Sequence, residues 1–456
     1  MDLVDALACN TTATSPVELS LNPAFQREHP SVYDAIDNYV QTQNDPDAQT
    51  PSDPATLRRI REQAVRALVV ATLLPPQSRP FHLFGLDVTS ISRPFATTIE
   101  DRTFTHQPNA IGGNKPITIG HAYSTLAYLP EQTDTHWAPP FSIRRIASDT
   151  TDRHVGATQV KDVVTDPGLP LHNQLCVTAA DCKYSARLFV AEVAPIKNHI
   201  LIARSAGNRV FFQQPPPLPE GAPKPAHRPK TYGERFDLKD PDTWREPNTT
   251  TQVTAITKKG KQLTYSIQCW DDMLMRSRDG INMHHHPFRL IRVNCFDSNG
   301  VLIFKRPMWL IVLGKRRNEL SLIHIVEAYR QRYDVEHFFR FGKQKLLMNA
   351  IQTPSVKREE NWMQIVQLAY IQLWAARELA EQVPYPWERY LPTKNGATAS
   401  PSTTQRDFGR LIQQVGTPAK SPKPRGKSPG RPKGQTQPAR KRQAVIKKSK
   451  TTTQKT

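Results

Sequence analysis

The 456-residue chain is poor in cysteine and apolar content, and it has no apolar run of membrane length. Its five cysteines (Cys9, Cys176, Cys182, Cys269 and Cys295) are scattered, odd in number and without a CxxC pair. That pattern argues against a disulfide framework and a cysteine-based zinc site, and it fits a reducing compartment. The longest apolar stretches, such as Ala67 to Leu74, are too short to span a bilayer, and no signal-peptide pattern is read. The expected location is the cytoplasm. A hydrophobic fraction of 38% is low for one compact globule, which points to long loops and tails. After Asp407 acidic residues are absent altogether.

What the chain has in excess is positive charge and proline. The formal net charge is +20, with 40 prolines. Such a balance favours a polyanionic partner, most simply nucleic acid. Much of it lies in the last stretch, where Lys and Arg run from Arg410 to Lys455.

Apolar periodicity divides the chain into five segments. Residues 1–78 read as helical, with helices over Pro23 to Val40 and Ala55 to Leu74 joined by a polar linker, Gln41 to Pro54. This segment is a candidate DNA-binding region. Residues 79–204 alternate strands and helices. The strands are expected at Pro80 to Thr89, Arg93 to Ile99, Pro116 to Leu129, Gln174 to Asp181 and His199 to Arg204. Helices are expected near Arg153 to Val164 and Cys182 to Val193. Residues 205–313 read as a β-rich insertion, with a Pro-rich loop at 213–250. Strands follow at Gln252 to Ile256, Gln262 to Cys269, Arg289 to Phe296 and Met308 to Leu313, with a hairpin turn at 298–300. Residues 314–390 carry two helices, about 319–346 and 359–381. Residues 391–456 read as a disordered basic tail.

Two acids, Asp87 and Asp181, each close an apolar strand pattern. In the helix expected at 319–346, Tyr329, Arg332, Glu336 and Lys343 are spaced 3, 4 and 7, so at about 100° per residue they share one stripe. A solvated face with weak ion pairs is the plain reading of such a stripe. A third carboxylate flanked by cations is the functional one. Carboxylates brought together raise one another's pKa, and divalent cations relieve the repulsion. A pair of ions roughly 3.5–4 Å apart can activate a nucleophile and stabilise a leaving oxygen.

The element order and the pattern Tyr329-x2-Arg332-x3-Glu336-x6-Lys343 resemble the bacterial insertion-sequence DDE transposases and their Y-R-E-K signature. The resemblance covers about residues 80–385. It implies an α/β fold: an RNase H-like catalytic core, a mixed five-stranded sheet with helices, interrupted by a β-rich insertion. It implies that Asp87, Asp181 and Glu336 hold two Mg²⁺ ions, with Mn²⁺ able to substitute, and that Tyr329, Arg332 and Lys343 grip phosphates. Trp309, in the strand ending the insertion, would stack on a flipped base; a core tryptophan is the alternative. The implied reaction is cleavage at inverted-repeat ends of double-stranded DNA through a hairpin, then transfer into target DNA by a nucleoid-associated homodimer. Two rival readings are an RNase H-like structure-specific nuclease and a non-catalytic DNA-binding remnant.

In the tail, Pro429-Gly430-Arg431-Pro432-Lys433-Gly434 resembles an AT-hook, in which Arg431 and Lys433 would reach a narrow minor groove; a generic basic solubilising tail is the competing reading. Other candidates rank lower. His284, His285 and His286 lack partners at ligand spacing, Asp101 and Asp166 sit in turn-like surroundings, and Glu327 falls on the opposite helix face from Glu336.

Overall fold

The computed structural model describes residues 1–39, 54–73, 75–107, 116–131, 135–216, 227, 230–256, 260–380, 387, 398–415, 421, 423–424 and 430–447. The polar linker apart from Pro54, and part of the Pro-rich stretch, lie outside them. The chain opens with α1 (Asp2–Ala8), which the sequence reading missed, then α2 (Pro30–Asp37) and α3 (Pro54–Val70).

A ten-stranded mixed sheet forms the centre. Strand β1 (His82–Ser92) pairs antiparallel with β3 (Ile117–Tyr128), whose other edge takes β2 (Thr103–His106) and β4 (Pro140–Arg145). After α4 (Asp152–Val164), strand β5 (Cys176–Ala180) lies parallel to β1. Helix α5 (Arg187–Val193) then crosses to β6 (His199–Arg204), parallel to β5. The order β4-β3-β1-β5-β6 is compatible with an RNase H-like core.

The expected sheet of five strands is only half of what forms. Strands β7 (Val210–Phe212) and β8 (Arg235–Asp237) make a separate small sheet. Strands β9 (Thr249–Ile256), β10 (Gln262–Met273), β11 (Phe288–Phe296) and β12 (Met308–Leu313) do not stand apart from the core. β12 pairs antiparallel with β6, and β11, β10 and β9 follow in turn. The reason lies in β6. Its edge would otherwise expose a row of backbone donors and acceptors, and the apolar run of β12 covers it.

Both faces of the central strands are covered, so they read as continuous apolar runs rather than alternating ones. Leu83, Ile200, Leu310 and Val312 face one core; Phe84, Leu201 and Ile311 face the other. Helices α6 (Leu322–Gln331), α7 (Asp334–Lys345) and α8 (Val356–Ala376) cover the first face, and α4 and α5 cover the second. Helices α1 and α2 pack on α8. There Asn361 Nδ2 donates to Ile36 O (2.8 Å) and Gln372 Nε2 to Asp5 Oδ1 (2.8 Å).

Three sequence expectations change. Arg93 to Ile99 is a turn rather than a strand, because β1 runs on to Ser92 and leaves Asp87 inside the strand instead of at its end. The single helix expected at 319–346 is two. Arg332 N–H donates to Tyr329 O (3.3 Å) and Tyr333 N–H to Arg330 O (3.2 Å), a tightened turn that separates α6 from α7. No Gly or Pro marks this break, so periodicity reads straight through it. Lastly, the segment expected as a disordered tail contains α9 (Pro401–Val415), whose Phe408 and Leu411 are buried in the core. Lys423 is also fixed, with Nζ donating to Ser20 O (3.1 Å) and Phe25 O (2.8 Å).

One buried ionic knot ties α8 to the sheet. Glu359, 1% exposed, accepts from Arg93 Nη1 (3.0 Å) and Tyr123 OH (2.8 Å) and lies 2.8 Å from His121 Nδ1. Burial pushes its carboxyl pKa up, but these hydrogen bonds and the Arg93 charge outweigh burial and hold it below the usual value of 4.5. A carboxylate with a depressed folded-state pKa stabilises fully above its unfolded value, and the contribution is lost as pH falls through the folded one. In urea unfolding near neutral pH, Glu359→Ala should cost about 3–5 kcal/mol, because it leaves Arg93 buried without its partner. The stability gap between wild type and Glu359→Gln should shrink as the pH drops below 4.5; a gap independent of pH would remove this assignment.

Candidate active site

The parallel register of β1 and β5 builds the first half of the site. Leu86 pairs with Ala180, so the next residues, Asp87 and Asp181, come off neighbouring strands side by side. Beyond β5 the chain turns, and Asp181 caps a short 3-10 segment, accepting from Lys183 N–H (3.0 Å). The Lys183 ammonium folds back between the two acids, 3.5 Å from Asp87 Oδ1 and 3.8 Å from Asp181 Oδ2.

The second half comes from the turn between α6 and α7. Arg332 donates through Nη1 to Asp87 Oδ2 (2.8 Å) and through Nη2 to Glu336 Oε1 (3.1 Å). The three carboxylates are thus linked in series through two cations. Burial lowers the Arg332 pKa, but Asp87, Tyr329 and Glu336 outweigh it and raise it overall. Burial raises the Asp181 carboxyl; Lys183 opposes and the Asp87 charge adds to the rise, leaving it above its usual value.

Asp87, Asp181 and Glu336 line one open cleft of about 830 Å³, together with Lys183, Lys343 and the whole of β2. Lys343 Nζ donates to Ser90 O (3.0 Å), and burial lowers its pKa. Arg332 and Tyr329 lie behind this lining. Tyr329 is buried, its phenol pKa pushed up by burial, with the Arg332 guanidinium 5.9 Å from its ring. The stripe read from spacing therefore divides. Glu336 and Lys343 face the cleft, Arg332 bridges acids from behind, and Tyr329 supports Arg332.

Trp309 is a correction. It is 3% exposed, inside an aromatic cluster with Trp244 (5.2 Å), Trp270 (5.7 Å) and Phe236 (6.4 Å). Strand β12 lies inside the sheet, between β6 and β11, so its tryptophan is core and its ring is closed to a DNA base. An exposed aromatic of the cleft is Phe104 on β2, 44% accessible. Sequence reasoning missed Phe104, and also Lys183, whose signal was its place two residues after Asp181. It also missed Asp152, which caps the cleft from the first turn of α4.

The rival acids are structural. Asp101 pairs with Arg145 and accepts from Ser148 N–H (3.2 Å), while Asp166 lies 3.6 Å from Arg66 and accepts from Gly168 N–H (2.9 Å). His284 Nδ1 sits 3.1 Å from Ser277 Oγ. Among the described residues, no three His, Cys, Asp or Glu side chains converge as a ready-made metal cage. Arg431 and Lys433 are exposed on a turn closed by Gln435 N–H to Pro432 O (3.1 Å), and Gly430 and Gly434 take positive φ.

The donor chemistry of the site fits a divalent cation. Its three carboxylates are hard oxygen donors of the kind Mg²⁺ accepts. Lys183 and Arg332 stand where positive charge is needed to hold those carboxylates together.

Gly85 sets how closely α7 approaches β1. A Cβ there would come within 2.4 Å of Val335 Cγ2 and 3.2 Å of Leu129 Cδ1, and Val335 precedes Glu336. Gly85→Ala should push α7 outward and cost about 1–3 kcal/mol in stability. Any activity that depends on all three acids should fall further, on the order of a hundredfold, since small misplacements of reacting groups have that effect. Activity equal to wild type at unchanged stability would show that α7 has slack.

A family model described as DDE superfamily endonuclease matches residues 2–266, more than half of the chain. The matched span contains Asp87 and Asp181 and ends before Glu336, which the fold brings to the same cleft, and before Arg332 behind it. No curated protein matches the chain. On the length of the match to its family model, the protein belongs to the DDE superfamily endonucleases.

Proposed function

We propose that this protein is a transposase that cuts double-stranded DNA at the ends of its own mobile element and joins the freed ends to target DNA. The observation that supports the reading is that Asp87, Asp181 and Glu336 line one open cleft and are linked through Lys183 and Arg332. These three side chains would hold two Mg²⁺ ions, with Mn²⁺ as a substitute. Bound there, the ions would supply an activated water and charge stabilisation at the leaving 3′-oxygen.

The chain's own groups do the rest. Arg332 presents a planar fork that suits two phosphate oxygens as well as two carboxylates. Lys183 and Arg332 hold the acids together, and Lys183, which lines the cleft, would exchange carboxylate for phosphate oxygens when DNA enters. Lys343 reaches the cleft floor from α7. Phe104 is a ring that a base can reach. With Trp309 in the core, the hairpin route keeps only the family resemblance behind it, and cleavage followed by strand transfer needs no hairpin step. Arg431 and Lys433 add exposed charge for phosphate contact, and a homodimer would bring two DNA ends together.

The test is an assay of the purified chain on duplex DNA flanking its own coding region, with Mg²⁺, with Mn²⁺ and with EDTA. Metal-dependent cuts at the inverted ends are expected. Glu336→Gln and Asp181→Ala should reduce cutting to background while DNA binding persists. Full cleavage by Glu336→Gln would overturn the catalytic assignment. A pre-cut end that is joined to a second duplex separates transposase from nuclease, and binding without cutting in any metal would mark a non-catalytic remnant.

A further inference from the structure

Strand β2 is the outer strand of the sheet at its β3 end, and its residues Thr103–His106 line the catalytic cleft. Its free edge carries a second segment from the far end of the chain. Gln443 N–H donates to Thr97 O (2.8 Å), Ile446 N–H donates to Arg102 O (2.8 Å), and Ile446 forms a parallel bridge to Thr103. The uncharged run Gln443-Ala444-Val445-Ile446 makes these bonds. Immediately on either side stand Arg440, Lys441, Arg442 and Lys447.

The four flanking cations are exposed, and among the described residues none forms an ion pair. No residue of 430–447 lines the cleft, so the segment borders it without filling it. A basic tail kept only for solubility has no reason to return to one strand edge. Pairing at β2 instead fixes the Ile446 backbone one strand spacing, about 4.8 Å, outside the strand that lines the cleft, and the bond from Gln443 to Thr97 ties down the stretch next to Arg440, Lys441 and Arg442.

We propose that residues 440–447 form a strand-anchored basic clamp that holds the phosphate backbone of duplex DNA alongside the cleft. The clamp rests on the reading above only in taking DNA as the polyanion. Anchoring raises the local concentration of the charges at the place where DNA must lie, which a free tail does not achieve.

The experiment uses the full chain, in EDTA so that cutting plays no part, with a labelled random-sequence duplex and fluorescence anisotropy over a salt series. Replacing Arg440, Lys441, Arg442 and Lys447 together by Gln should lower the slope of log K against log salt by about 3 to 4, at about 0.9 for each phosphate contact. Ile446→Pro removes the N–H bonded to Arg102 and keeps every charge; it should weaken binding about tenfold as the effective concentration is lost. Thr436→Pro, in an exposed stretch of the same tail, should bind as wild type. Amide exchange should show the Ile446 N–H protected in wild type and Thr436→Pro. Wild-type affinity in Ile446→Pro, or an unchanged salt slope in the fourfold variant, would overturn the clamp. Metal-dependent cleavage is scored separately. A clamp that behaves as expected on a protein that never cuts would sink the catalytic reading alone, and the converse result would sink the clamp alone.

Discussion

Three carboxylates in one partly buried cleft repel one another, and the local structure is arranged around that repulsion. Coulomb energy between like charges a few ångströms apart is about 4 kcal/mol at an effective dielectric of 20. Two cations offset it by standing between the acids, Lys183 between Asp181 and Asp87, and Arg332 between Asp87 and Glu336. The turn between α6 and α7 takes part in the same arrangement: Arg332, at the turn, bonds Asp87 on β1, and Glu336 stands in the first turn of α7.

Rigid placement of these groups comes from the sheet. Parallel pairing of β1 with β5 fixes the relative height of Asp87 and Asp181 to within one residue, and a slip of one would turn either side chain to the other face. Gly85 lets α7 settle against β1, so the third acid is positioned by the absence of a side chain two residues before the first. Strands β9 to β12 lengthen this sheet, and β12 covers the edge of β6. That role explains why β12 is apolar throughout and why Trp309 packs inside.

The opposite end of the sheet has a different chemistry. There β2 is short and borders the cleft, and its outer edge takes a single bridge to Ile446. The basic excess of the chain thus includes charges held beside the three acids as well as charges spread along the tail. Positive groups around a negative centre set up the field that a duplex backbone meets on approach.

Much of this was legible in the sequence. Apolar runs ending in Asp87 and Asp181, strands at His199–Arg204 and across 252–313, and the spacing from Arg332 to Glu336 and Lys343 are local patterns, and each is read from neighbours in the chain. Composition alone indicated a polyanionic partner. Other features could not be read this way, because each depends on residues far apart in sequence. Periodicity could not show that β12 would join β6, that Trp309 would be enclosed by Phe236, Trp244 and Trp270, or that Lys183 would fold back onto Asp87. It also gave no sign that Ile446 would pair with Thr103. The sequence by itself determined which side chains carry charge and which strands are buried; only the tertiary structure decided which charges meet, because strand pairing and side-chain contact are set by long-range packing rather than by local propensity.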